Sequence, residues 1–274
     1  MADLSGTPPE SEPTPKIDTT RPHSARIWNY WVGGKDHYPI DREVGEQVRE
    51  VFPDIIEVAR HSRAFLGRVV RHLTEDVGIR QFLDIGTGLP THDNTHEVAQ
   101  RIAPESRIVY VDNDPLVLVH ARALLVSGPY GATDYVDADV RDTDRIIAEA
   151  ARTLDLTRPV GLVLLGIMGN VADDGEAYAI VRRLVAALPP GSHVAVNDGS
   201  NVIDPAGAGA GERRRAEAGS PYRLRSPAAI GRFLDGLDLL EPGLVSVSRW
   251  RPEEGPFGPP PEVDAFCGVG RKPG

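Results

Sequence analysis

Asp84, Asp112 and Asp139 each lie in or at the end of a short apolar run, and they recur at intervals of 28 and 27 residues. Each interval is about one strand–helix–strand repeat. The three carboxylates are therefore expected along one edge of a doubly wound sheet, at the carboxyl ends of neighbouring strands, where ligands bind. Beside the first stands Gly86-Thr87-Gly88, whose glycines permit a tight turn and a close approach of backbone to ligand. Asp112, followed by Asn113, offers two acceptor oxygens to a pair of ribose hydroxyls. Asp139 is placed to accept from an adenine amino group, with the Val140 backbone nitrogen donating to the ring; Asp137 or Asp142 are alternatives. Asp84 either faces an ammonium group or holds the glycine turn, and Leu165 closes the pocket from the fourth strand. A glycine turn below a row of acids suits a nucleoside on a cationic or neutral linker better than a diphosphate. S-adenosylmethionine is such a molecule.

The elements that must position these residues alternate along the chain. Strands are predicted over 81–85, 107–112, 133–137, 160–166 and 192–197, with helices over 94–102, 115–127, 142–154 and 175–188 between them. Near-continuous apolar strands such as Val160–Leu165 indicate a sheet covered on both faces. A helix over 227–237 begins at Ser226-Pro227, and the Gly/Ala-rich segment 204–219 before it is expected to be loose. The last two strands, 244–250 and 264–270, are joined by a proline-rich connector that excludes a crossover helix. The expected fold is α/β, a Rossmann-like, mostly parallel seven-stranded sheet ending in an antiparallel hairpin. Residues 1–22 read as a disordered leader, 23–77 as a helical cap and 78–274 as the core.

Composition narrows the partners. A net charge of −10 argues against nucleic acid held by bulk electrostatics. The single cysteine, Cys267, excludes an internal disulfide and a thiolate zinc site, and adjacent His92-Asp93 do not converge on a metal. No apolar run has membrane-spanning length, and the N-terminus lacks a signal-peptide pattern, so a cytoplasmic protein without cofactor metal is expected. Nicotinamide binding would need glycine where Thr91 stands.

The segment His23–Asp36 concentrates Trp28, Tyr30 and Trp31 before Gly33-Gly34-Lys35. Ser24 is a plausible N-cap for its short helix. Ile27, Tyr30 and Trp31 share a helical face that docks on the sheet. Tyr30, Gly33, Gly34 and Lys35 are instead candidates for a lid closing over the ligand. Arg213-Arg214-Arg215 reads as a solvated loop, or as a lid attracting an acidic acceptor.

Segments 23–41, 83–91, 94–100 and 109–115, continuing through Asp139-Val140-Arg141-Asp142 to Trp250-Arg251-Pro252, resemble an actinobacterial family. Its members are S-adenosylmethionine-dependent methyltransferases long catalogued as a domain of unknown function. The resemblance implies a class I methyltransferase fold and the cofactor pocket named above, and it supplies no acceptor. Where that family often carries histidines after strands four and five, this chain has Leu165-Gly166-Ile167-Met168-Gly169-Asn170 and Asn197-Asp198-Gly199-Ser200. These small residues imply a roomier acceptor pocket, or a chain that binds cofactor without transferring its methyl group. The expected function is methyl transfer to a small molecule; the alternative is a cofactor-binding regulator. Asp198, His96 and Tyr30 are candidate bases, and no catalytic residue is assigned.

Overall fold

A computed structural model of the chain describes residues 17–124, 130–253 and 258–274. Three helices lead in: α1 (Ser24–Trp31), α2 (Pro39–Val51) and α3 (Ile55–Glu75). The alternating part follows as β1 (Gln81–Ile85), α4 (Thr95–Ile102), β2 (Arg107–Asp112), α5 (Pro115–Leu124), β3 (Ala132–Asp137), α6 (Thr143–Ala150), β4 (Gly161–Leu165), α7 (Asp174–Ala187) and β5 (His193–Gly199). The C-terminal part is α8 (Pro205–Glu217), α9 (Pro227–Gly231), β6 (Asp238–Leu239), β7 (Val245–Ser246) and β8 (Ala265–Arg271).

The strands form one sheet in the order β3-β2-β1-β4-β5-β8-β6, with β7 also paired to β8. β1 to β5 run parallel, and β8 lies antiparallel to β5 with Asn197 opposite Cys267. The strand order reverses between β1 and β4, which opens a crevice at the carboxyl edge. Strand alternation divides the core. Leu83, Ile85, Leu162 and Leu164 face α6, α7 and α9. Phe82, Ile108 and Val163 face α3, where Phe65, Val69 and Leu73 are fully buried. α3 is thus a layer of the sheet's own packing, although a boundary at 77/78 assigns it to the cap.

Several expectations need correction. Residues 1–16 of the expected leader lie outside the described residues, but 17–22 are held: Arg26 donates to the carbonyls of Asp18 and Arg21. His23, not Ser24, holds the N-cap position of α1. The segment expected to be loose, 204–219, is helix α8. Asp204 caps it by accepting from Gly207 N, Pro205 occupies N1, and Gly207 and Gly211 let it lie directly on α2. A Cβ on Gly211 would sit 3.2 Å from Val48, so glycine's weak helix propensity is offset by close packing.

The helix expected over 227–237 stops at Gly231 and continues only as a 3₁₀ turn, Arg232–Leu234. The strand expected over 244–250 is reduced to β7, and β6 pairs with the far end of β8, giving eight strands among the described residues where seven were expected. Pro242 has no N–H to donate and Gly243 takes φ +89°, so the edge strand breaks in two. Positions 125–127 of the helix predicted over 115–127 lie outside the described residues.

Leu73→Ala should destabilise the protein by about 2–5 kcal/mol in urea unfolding, because it opens a cavity between α3 and the sheet. A loss below about 1 kcal/mol would show that α3 is not part of the folded core.

Candidate functional site

The glycine turn leaves β1 with Gly86 at φ +76° and Gly88 at φ +67°. Gly86 N donates to Val111 O at 2.8 Å, and a Cβ on Gly86 would meet Ile167 at 2.8 Å, so no larger residue fits there. Gly88 N donates to Asp112 Oδ2 at 2.8 Å, tying the turn to the tip of β2. The other oxygen of Asp112 accepts from Asn113 N and Asp114 N at 2.8 and 3.0 Å. Burial pushes the Asp112 carboxyl above its ordinary range, while the N–H donors of Asp114 and Gly88 oppose that shift. Capping of α5 falls to Asp114, whose Oδ1 accepts from Leu116 N at 2.9 Å, and Asp112 Oδ2 keeps a lone pair for a further donor.

Past β3, Asp139 accepts from Arg141 N at 2.9 Å and from Asn113 Nδ2 at 3.2 Å. Asp84 accepts from Thr95 Oγ1 at 2.5 Å. Burial raises its carboxyl to about 6, and Thr95 and Arg63 pull in the opposite direction. Asp84, Gly86, Thr87, Gly88, Asp112, Asn113, Asp139, Val140 and Leu165 all line one cavity of about 400 Å³.

The cavity is roofed by α1, α2 and α8, through Trp28, Trp31, Val48, Phe52 and Ala208. A buried charge cluster holds that roof down. Arg26 Nε lies 3.2 Å from Asp114 Oδ2 and its Nη1 3.7 Å from Asp41 Oδ2. His23 Nδ1 lies 3.0 Å from the same Asp114 oxygen, and His23 N donates to Asp41 Oδ1. Burial disfavours the charged imidazole, but contact with Asp114 outweighs it and raises the His23 pKa.

The remaining predicted residues lie elsewhere. Tyr30 lines neither cavity: one hundred degrees per residue turns it away from Trp28 and Trp31, and its hydroxyl donates to Glu46 on α2. Lys35 is exposed and lines neither. Gly33 and Gly34 border a second cavity of about 420 Å³ behind the glycine turn. His96 borders it too, with Nδ1 2.8 Å from Tyr110 Oη, and so stands outside the main cavity. Asp198 is 1% exposed and lies behind Tyr222, whose hydroxyl donates to Asp198 Oδ1. Burial raises the Asp198 carboxyl to about 6 against the pull of Tyr222 and of Arg225, 3.5 Å away.

The small residues after β4 and β5 do not leave open space. A Cβ on Gly169 would lie 2.2 Å from the Tyr222 ring and one on Gly199 at 3.2 Å, so Tyr222 fills that room. Trp28 and Arg215, which the sequence offered only within candidate lids, and Tyr222, which it did not single out, line this wall of the cavity. For Arg215 a signal existed, since it shares one helical face with Ala208 and Gly211; for Tyr222 there was none.

An open, mostly parallel sheet with antiparallel strands at its C-terminal edge and acids on successive strand tips defines a Rossmann-like class I methyltransferase. Residues 10–273 match the family model for S-adenosyl methyltransferases, and the chain belongs to that family. It is similar to a DUF574-family protein from Streptomyces avermitilis, with 45% identity and a TM-score of 0.91 over 94% of this chain and 100% of that one. A candidate methyltransferase from Thermobifida fusca shows 37% identity and a TM-score of 0.85 over 93% and 96% of the two chains. Magnesium protoporphyrin IX methyltransferase from Synechocystis shares the fold alone, at 12% identity and a TM-score of 0.50 over 90% and 89%. A search among curated proteins found no match. The cofactor is that of the family, S-adenosylmethionine. Among the described residues no helix is long and apolar enough to cross a membrane.

The raised Asp84 carboxyl makes a pH prediction. Between its unfolded value near 3.8 and about 6 the native state holds a proton that the unfolded chain releases, so its contribution to stability falls as pH rises through that window. Asp84→Asn should flatten this decline in denaturant midpoints measured from pH 4 to 7. An unchanged slope would place the titration on another group.

Proposed function

We propose that the chain transfers a methyl group from S-adenosylmethionine to a small-molecule acceptor held between the sheet edge and the α1–α2–α8 roof. The observation that carries this reading is one cavity lined by both the strand-tip acids and an aromatic wall at the β4 and β5 tips. A concave space of this size suits a metabolite.

The residues fit the cofactor. Asp112, through Oδ2, would hold the ribose hydroxyls, Asp139 and the Val140 amide the adenine edge, and Asp84 with the Gly86–Gly88 turn the amino-acid tail. The sulfonium is itself electrophilic when bound, so transfer chiefly requires an acceptor atom aligned about 3–3.5 Å from the methyl carbon. The chain's part is alignment and exclusion of water. Tyr222 lines the cavity and donates its proton to Asp198, so its oxygen keeps a lone pair to accept from an acceptor O–H or N–H brought beside it. Asp198, raised to about 6, is suited to take the proton that Tyr222 relays.

Asp112→Ala should cost about 1.5–3 kcal/mol of S-adenosylhomocysteine binding in calorimetry, the worth of charge-assisted hydrogen bonds. Wild-type affinity in that variant would refute the ribose assignment. Methyl transfer to a metabolite panel, read as S-adenosylhomocysteine release, tests the function itself. With an acceptor so found, Tyr222→Phe should lower kcat about 10²-fold while leaving cofactor affinity unchanged. Unaltered kcat would remove Tyr222 from the reaction.

A further inference from the structure

Arg215 is a buried cation without a counter-ion. It is 6% exposed at the last turn of α8 and lines the main cavity. Its neighbours Arg213 and Arg214 are exposed, and Arg214 pairs with Glu217. Arg215 Nε donates to Ser220 O at 3.0 Å, and Nη2 donates to the hydroxyls of Ser24 and Ser220, each at 3.2 Å. The guanidinium also lies over two rings, 4.8 Å from the Tyr222 centroid and 6.0 Å from that of Trp31. Among the described residues no carboxylate lies within ion-pair distance of it, and Nη1 has no hydrogen-bond partner. Glu212 shares the cavity, but its Oε1 accepts from Leu224 N. Burial lowers the Arg215 pKa only to about 10, so the charge persists at neutral pH.

A guanidinium buried against aromatic rings is costly unless an anion joins it. Resting on the reading of the cavity given above, we infer that the methyl acceptor is a small carboxylic acid whose carboxylate is bound by Arg215. The fork of Arg215 suits a carboxylate, the rings of Trp28 and Trp31 suit an apolar or aromatic body, and Tyr222 beside it meets the group to be methylated. The cofactor's own carboxylate is the other source of this chemistry. It belongs over the glycine turn of β1, where Arg63 stands with Asp84, whereas Arg215 stands with Tyr222 at the tip of β5.

The test loads the full-length protein with S-adenosylhomocysteine and titrates in salicylate, 4-hydroxybenzoate, anthranilate and indole-3-acetate, each beside its primary amide. At least one carboxylate is expected to bind ten or more times tighter than its amide. Arg215→Met should erase that difference, and Arg215→Lys should keep part of it. Equal binding of every acid and amide by wild-type protein, or no binding of either, overturns the inference, and this comparison decides the matter if Arg215→Met does not fold. A loss of S-adenosylhomocysteine affinity in Arg215→Met, with 5′-methylthioadenosine affinity retained, would assign Arg215 to the cofactor tail and equally overturn it. Failure of wild-type protein to bind S-adenosylhomocysteine would instead sink the proposed function.

Discussion

The buried cluster of Arg26, Asp41 and Asp114, with half-buried His23 beside it, is the contact on which the roof of the cavity depends. Arg26 and Asp41 come from the roof, and Asp114 comes from the turn that carries Asp112, so the cluster clamps the roof directly beside the strand-tip acids. Removing one member of such a cluster leaves a charge without its partner away from water, typically at a cost of about 3–5 kcal/mol. The same contact orders residues 17–22, because the rest of the Arg26 guanidinium is satisfied by carbonyls there. Roof, leader segment and sheet edge are therefore one electrostatic unit.

The two ends of the cavity are built by different means. At the acid end the side chains are positioned by strand geometry and by backbone donors: Asn113 N and Asp114 N beside Asp112, and Gly88 N from the turn after the neighbouring strand, orient Asp112. At the aromatic end each wall belongs to a different part of the chain. Trp28 and Trp31 come from α1, Arg215 from α8, and Tyr222 from the segment that follows. Glycines at 169 and 199 make space for the Tyr222 ring, so small residues there signify a bulky partner rather than a vacant pocket. The polar pair Tyr222–Asp198 is braced from behind by Arg225, which also donates to the carbonyls of Met168 and Val171.

The roof shows how amphipathic pattern and packing interact. α8 has a poor intrinsic helical sequence, with Gly207, Gly209 and Gly211 in its first half. It folds because Gly207 and Gly211 allow it to approach α2 more closely than side chains would permit, and because Asp204 and Pro205 start it cleanly. Its last turn then delivers Arg215 inward on the face shared with Ala208 and Gly211. A segment that reads as loose thereby becomes a wall of the cavity.

Local chemistry alone determined the strand tips. Asp84, Asp112 and Asp139 with the Gly86–Gly88 turn were legible because strand period, apolar run and helix start are short-range signals that survive in one dimension. The parallel sheet and the cofactor class followed from them, and the antiparallel C-terminal edge followed from the proline-rich connector before β8. What only the tertiary structure decided is the acceptor side. The turning away of Tyr30, the exposure of Lys35, the filling of the Gly169–Gly199 space by Tyr222 and the burial of Arg215 all depend on which elements meet across long sequence separations. No local pattern encodes that meeting, because it is set by the shape and charge of surfaces that exist only after the chain has folded.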